Sequence, residues 1–183
     1  GVTHTGQPGP WIISTASHLM ETNGEYRRGV IEATIDLGGT AVSMFSAHLD
    51  NFKPEVRAAQ AVELAAFVAR FPAPRVVAGD LNAEPQSNEI RPLLTELRDS
   101  WLEAVEEQRA TSYPDNPPDP STRTRGRRRI DYILHSPDLA TVDAAVPDQR
   151  DLHNGRVHVF VRTPDDLGVR PSDHNFVLAH LSV

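Results

Sequence analysis

The stretch Val76-Val77-Ala78-Gly79-Asp80-Leu81-Asn82-Ala83-Glu84-Pro85 constrains this chain more than any other. Its first three residues are small or branched and apolar, the composition of a buried strand end. Gly79 has no Cβ, so the backbone can turn there without a clash. Asp80 and Asn82 follow at i and i+2, which on an extended segment points both side chains to one side. A carboxylate and an amide then stand together past the carboxyl end of a strand, where open α/β sheets place their sites. Taken alone, the triplet also suits an Asx turn that closes a strand.

The segments around it supply the context. Residues 1–10 hold three Gly and two Pro and read as loop. Trp11-Ile12-Ile13-Ser14 suits a short strand, and His18 to Glu25 is polar, as in a loop. Ile31, Ala33, Ile35 and Leu37 alternate with Glu32, Thr34 and Asp36, which predicts a strand with one wet face. Gly38-Gly39 marks a tight hairpin, and Ala41 to Ala47 returns as a strand ending at His48. Glu55 to Phe71 is predicted helical, with Leu64, Phe67, Val68 and Phe71 on one face until Pro72 and Pro74 end it. A second helix is expected over Asn88 to Leu97, with Ile90, Leu93, Leu94 and Leu97 on one face. Thr111 to Gly126 is Pro-rich and polar and reads as a long surface loop. Arg129 to His135, Ala140 to Val146 and Phe176 to Val183 read as strands. Asp148 to Arg170 is irregular, with a short strand expected at Val157 to Val161. Strands alternating with helices predict an α/β layered fold, and 183 residues suit one domain over 1–183.

Composition excludes several chemistries. There is no cysteine, so thiolate metal sites, disulfides and Cys nucleophiles are out. No apolar run has the length of a membrane span, and no targeting signal is visible, which leaves the compartment open. A formal net charge of −7 does not suit general adhesion to nucleic acid. Lys53 is the only lysine. The remaining basic residues are arginines, which suit two-pronged phosphate contacts or reflect a compositional bias.

Four polar groups stand at strand ends: His48, the pair Asp80 and Asn82, Asp131, and Asp173-His174-Asn175. Asp131 lies in an apolar strand, where a carboxylate needs a partner or a metal. Ser46-Ala47-His48-Leu49, Gly79-Asp80-Leu81-Asn82-Ala83, Arg129-Ile130-Asp131-Tyr132-Ile133 and Ser172-Asp173-His174 occur in an order that resembles the endonuclease/exonuclease/phosphatase superfamily. The likeness runs from Tyr26 to Val183. It implies a DNase I-like layered α/β sandwich, with mostly antiparallel sheets flanked by helices. It also implies metal-dependent hydrolysis of phosphate esters with Mg2+ or Mn2+, on nucleic acid, a phospholipid head group or a sugar or inositol phosphate.

By that resemblance Asp80 orients or deprotonates the attacking water and Asn82 holds the phosphate. Asp173, with Asp80 and Asn82, binds metal. His174 contacts the phosphate and moves a proton, oriented by Asp131, and His48 is a second phosphate contact. Whether Asp80 or His174 is the base is left open by the residues themselves. The arginines Arg123, Arg125, Arg127, Arg128 and Arg129 form either an electropositive approach or a solvated loop. His4, His18, His135, His153, His158 and His180 match no motif and are read as structural or surface residues.

The chain departs from the family pattern at its front. The family's first strands carry an Asn and then a Gln-Glu whose Glu is a principal metal ligand. Gln-Glu never occurs here, and Glu21, Glu25 and Glu32 lie in other contexts. The expectation is therefore a domain lacking its N-terminal strands, with core surface exposed. Its alternative to catalysis is a non-catalytic remnant that binds phosphate or a partner.

Overall fold

The computed structural model describes residues 11–20, 27–112, 121–122, 128–146 and 174–183. Strand β1 (Trp11–Leu19) pairs antiparallel with β2 (Gly29–Asp36), which turns back into β3 (Ala41–His48). Helix α1 (Pro54–Val68) carries the chain across to β4 (Arg75–Asp80), parallel to β3. One helical turn α2 (Arg91–Leu94), strand β5 (Arg98–Asp99), helix α3 (Ser100–Glu106) and strand β6 (Ala110–Ser112) come next. Strands β7 (Asp131–His135), β8 (Ala140–Val146) and β9 (Leu178–Ser182) follow. They form a six-stranded sheet, β1-β2-β3-β4-β7-β5, and a three-stranded sheet, β6-β8-β9. Most pairs are antiparallel, as expected of the layered sandwich.

Helix α1 begins where Pro54 supplies a fixed φ in the first turn and Asp50 Oδ1 accepts from the Phe52 and Lys53 backbone N–H groups. Its apolar stripe, Ala61, Leu64, Phe67 and Val68, packs on Val30, Phe45, Ala47 and Val77 of the larger sheet. Phe45, Phe67 and Phe71 meet with centroids 5.2–6.1 Å apart. The same buried face carries two polar residues. Gln60 Oε1 accepts from Asp50 N at 2.7 Å. Arg57 donates to the Asp50 carbonyl at 2.9 Å and forms a two-pronged pair with Glu89 at 2.9 and 3.1 Å. The helix thus fixes the loops after β3 and β4 as well as the core.

On the other face of the larger sheet, Val42 and Val76 pack with Leu139, and Leu181 of β9 joins them. Trp101 and Ala104 of α3 fill a second core with Ala144 and Val146. Asp99 caps α3 by accepting from Trp101 N, and its other oxygen lies 2.8 Å from Arg129 Nη2. Both side chains are buried, and removing one partner of such a pair leaves an uncompensated charge.

Several sequence expectations change. The first strand runs on to Leu19 and takes in His18, which stacks on Phe67 and contacts Glu63. The wet face of β2 is reversed: Glu32 is 0% exposed and Ile31 63%. Strict alternation gives which residues share a face, and α1 covers the face that carries Val30 and Glu32. Thr34 donates to Glu32 there at 2.6 Å. Ile12, Leu19 and Ile31 remain exposed on the open side. The second helix shrinks to Arg91–Leu94, because Asn88 to Ile90 form turns in which Ser87 and Arg57 hold Glu89. The loop expected over Thr111 to Gly126 contains the end of β6, and Thr122 is buried. The strand expected at Val157 to Val161, the irregular segment from Asp148 to Arg170, and Arg123, Arg125, Arg127, His4, His153 and His158 lie outside the described residues. His135 is buried against Glu103, Thr141 and the Ser136 carbonyl, and His180 is exposed beside Asp143.

Burial opposes ionisation of Glu103, but hydrogen bonds from Thr141 and the nearness of His135 outweigh it and hold its pKa at about 2, against an ordinary 4.5. A folded-state pKa below the unfolded one adds stability that is present above 4.5 and lost as pH falls towards 2. The urea midpoint should therefore drop between pH 6 and pH 3. In Glu103→Gln the drop should be shallower, since one acid no longer titrates. An equal drop in both proteins would show that Glu103 plays no part in acid lability.

Candidate active site

The site grows from register. Strand β3 runs parallel to β4 with Ala47 beside Gly79 and His48 beside Asp80. Strand β7 runs antiparallel on the far side, with Asp131 beside Asp80. The two ladders therefore set His48, Asp80 and Asp131 in one row across three strand ends. Gly79 makes that row possible. Its φ is +154°, and a Cβ there would overlap the Ala47 carbonyl oxygen. Only glycine lets β3 approach so closely.

His174 comes to this row from a distant part of the chain. Its Nδ1 lies 2.9 and 3.0 Å from the two Asp131 oxygens, and its Nε2 lies 3.7 Å from Asp80 Oδ2. A carboxylate accepts only, so Nδ1–H is the donor and Nε2 faces Asp80. Four hydrogen bonds hold the segments that bear this pair. Thr122 Oγ1 accepts from the Ile130 and Asp131 N–H groups at 3.0 and 3.2 Å. Asn175 donates to the Thr122 and Ser121 carbonyls at 2.7 and 3.1 Å. Burial lifts the Asp131 carboxyl above the usual range, helped by the charge of Asp80 and opposed by hydrogen bonds from Thr122 and His174.

Asn82 departs from the extended geometry its spacing suggested. Its φ is +51°, and its N–H donates to Asp80 Oδ1 at 2.8 Å, which is an Asx turn. The two readings of the triplet are therefore compatible: the turn itself fixes the Asp80 carboxylate. Asn82 Nδ2 donates to the Leu49 carbonyl at 3.0 Å, while Leu49 N donates to the Asp80 carbonyl at 3.0 Å. His48 Nε2 lies 3.5 Å from Asp80 Oδ2, with about half its side chain in solvent. Partial burial lowers its pKa first and the cation of Arg28 next, while Asp80 pulls it back up.

The carboxylates of Asp80 and Asp131 and the imidazole of His174 offer ligand atoms that all lie within 4.8 Å of one another. Two carboxylates and an imidazole that close together fit a divalent cation. Asp173, expected as a ligand, lies outside the described residues. The arginine run does not form a basic approach in its described part. Arg128 pairs with Glu84 at 3.0 Å and Arg129 is buried on Asp99. Sequence reading missed Asp50, Arg57, Glu89 and Thr122, which hold the site's loops. Only Asp50, adjoining His48-Leu49, carried a local signal.

The sequence profile of the Endonuclease/Exonuclease/phosphatase family matches residues 10–174, and the chain belongs to that family. Its fold recurs in solved structures. An endonuclease/exonuclease/phosphatase from Bacteroides vulgatus is 16% identical with a TM-score of 0.68, the match covering 95% of this chain and 66% of that one. The mannosyl-6-phosphatase of Bacteroides thetaiotaomicron is 16% identical with a TM-score of 0.67, covering 95% and 67%. D. rerio TDP2, complexed with a single-strand DNA product, is 15% identical with a TM-score of 0.68, covering 95% and 69%. These likenesses are of fold, and the chain spans just under two thirds of the B. vulgatus protein. Comparison with curated proteins gives no match. Among the described residues no helix is long and apolar enough to cross a membrane.

Gly79→Ala should lose at least about 2 kcal/mol, through strain at positive φ and displacement of β3. Denaturant melts give the loss directly. A variant as stable as the parent would mean that β3 and β4 do not meet as closely as described.

Proposed function

We propose that this chain is a metal-dependent phosphoester hydrolase whose working groups are Asp80, Asn82, His174, Asp131 and His48. The line Asp131–His174–Asp80, closed by contacts of 2.9 and 3.7 Å, carries the reading. Family membership makes phosphoester hydrolysis the expected class of reaction.

Asp80, fixed by its Asx turn, orients a water beside the phosphorus and accepts its proton as the water oxygen bonds to phosphorus and the ester oxygen departs. Asn82 keeps one Nδ2 hydrogen on Leu49 and offers the other to a non-bridging oxygen. Asp131 holds the His174 ring with Nε2 towards the reacting group, where in the doubly protonated ring Nε2–H donates to the phosphoryl oxygens. His48, more exposed, is a second donor at the rim. Mg2+ or Mn2+ held by Asp80 and Asp131, with Asp173 as a further ligand, would neutralise the phosphate and stabilise the leaving oxygen.

The fold neighbours include a sugar phosphatase and a protein holding DNA product, so both small phosphoesters and nucleic acid are candidate substrates. The net charge of −7 favours the smaller phosphoester over unspecific cutting of duplex DNA.

Hydrolysis of bis(p-nitrophenyl) phosphate with Mg2+ or Mn2+ tests the reading. Activity should vanish with EDTA. Asp80→Ala or His174→Ala should each lower kcat by about 10²-fold or more, with KM little changed. Undiminished turnover in metal-free buffer, or in Asp80→Ala, would sink the mechanism. Binding of phosphate without any turnover would favour the non-catalytic reading.

A further inference from the structure

The described arginines differ in what they meet. Arg57, Arg98, Arg109, Arg128 and Arg129 each lie within 3.3 Å of a carboxylate oxygen. Arg28 sits at the start of β2, half-buried, and meets no carboxylate among the described residues. Its Nη2 donates to Asn51 Oδ1 at 3.2 Å, and its buried Nε has no hydrogen-bond partner. A buried guanidinium N–H without an acceptor is costly, and the Nη hydrogens not spent on Asn51 remain for a further acceptor.

Register places this cation. Val30 pairs with Ala47, so one further step sets Gly29 beside His48 and Arg28 beside Leu49. Leu49 is bound from both sides by the site, through the Asp80 carbonyl and the Asn82 amide. Arg28 also lies close enough to His48 and Asp50 to lower both their pKa values. Along the sheet edge the order is therefore Gly29, His48, Asp80, Asp131, and Arg28, one residue beyond Gly29, starts from the face that α1 covers, as Val30 does. Neighbouring strands are ~4.8 Å apart, so Arg28 starts about 10 Å from Asp80, on the side away from His174.

Resting on the phosphoester reading, we propose that Arg28 is a specificity residue for a second phosphate on the substrate, displaced from the reacting phosphoryl group towards β2. Its planar fork suits a phosphate oxygen pair, with the Nη hydrogens not spent on Asn51 as donors. Asn51 holds the guanidinium at the rim in the absence of ligand. The distance from Asp80 assigns it to the non-reacting group, so it contributes to binding rather than to the bond-breaking step.

Calorimetric binding to the 183-residue chain in Mg2+ buffer tests this with two pairs of probes. One pair is thymidine 3′,5′-bisphosphate against thymidine 5′-monophosphate. The other is glucose 1,6-bisphosphate against glucose 6-phosphate. In at least one pair the bisphosphate should bind about tenfold or more tightly, as one charge-assisted contact would give. Arg28→Ala should erase that ratio, and Arg28→Lys should keep part of it, while affinity for the monophosphate stays near the parent's. The pair that responds tells a nucleotide from a sugar phosphate. A ratio near one in the parent for both pairs, or a ratio unchanged in Arg28→Ala, overturns the proposal. So does an equal loss of both affinities, which would mean that Arg28 only supports the loop. Turnover is read separately. A chain that selects bisphosphates through Arg28 but hydrolyses nothing refutes the catalytic reading and leaves Arg28 in place.

Discussion

The close approach of β3 to β4 at Ala47 and Gly79 is the constraint on which the site depends. It fixes a parallel register in which His48 stands beside Asp80. The antiparallel ladder on the other side of β4 then sets Asp131 beside Asp80. A slip of one residue in either ladder would turn one of these side chains to the opposite face of the sheet. Helix α1 supports the register from above, because Leu64, Phe67 and Val68 fit only if Phe45, Ala47 and Val77 present that face. The core and the chemistry are thus set by the same strand pairing. A change in packing at β3 or β4 is a change in the spacing of His48, Asp80 and Asp131.

Around this row lies a set of polar contacts that position loops rather than react. Arg57 reaches from α1 to the Asp50 carbonyl and to Glu89, so the segments after β3 and β4 are tied to one helix. Thr122 and Asn175 join the approaches to Asp131 and His174. The buried Asp99–Arg129 pair stands just before Asp131 and anchors the same strand to α3, while the Arg129 guanidinium lies 4.7 Å from the Tyr132 ring. These residues come from segments far apart in the chain. Each is costly to leave unpaired, so the site's loops are held by contacts from several segments at once.

What could be read from the sequence follows from which signals are local. Gly79, Asp80, Asn82 and the apolar run before them mark a strand end within a few residues, and His48 and Asp131 mark two others. The hairpin at Gly38-Gly39 is equally local: both glycines have positive φ, and Asp36 accepts from Gly39 N. The buried face of β2 is not legible in its alternation, which is symmetric and cannot tell which side a helix will cover. Helix α3 escaped notice because seven residues make too short a period to recognise, and its cap, Asp99, is engaged elsewhere by Arg129. Thr122 looked like loop composition. Its burial comes from Arg128, Ile130 and Asn175, contacts that no periodicity contains.

Charge shows the same division between what composition says and what geometry decides. A formal charge of −7 describes the whole surface. Yet exposed charges are screened over about 10 Å at 0.1 M salt, so distant acids weigh little on a group bound at one sheet edge. There the balance is local. Asp80 and Asp131 bring two negative charges within reach of one another, and burial already disfavours ionised Asp131. His48 and His174 stand beside that pair, while Arg57 and Arg129 are neutralised by acids of their own. An acidic chain can therefore present a site that receives an anion, provided that a cation compensates the two aspartates. The strand pairing that aligns His48, Asp80 and Asp131 is also what brings that compensation together in one place.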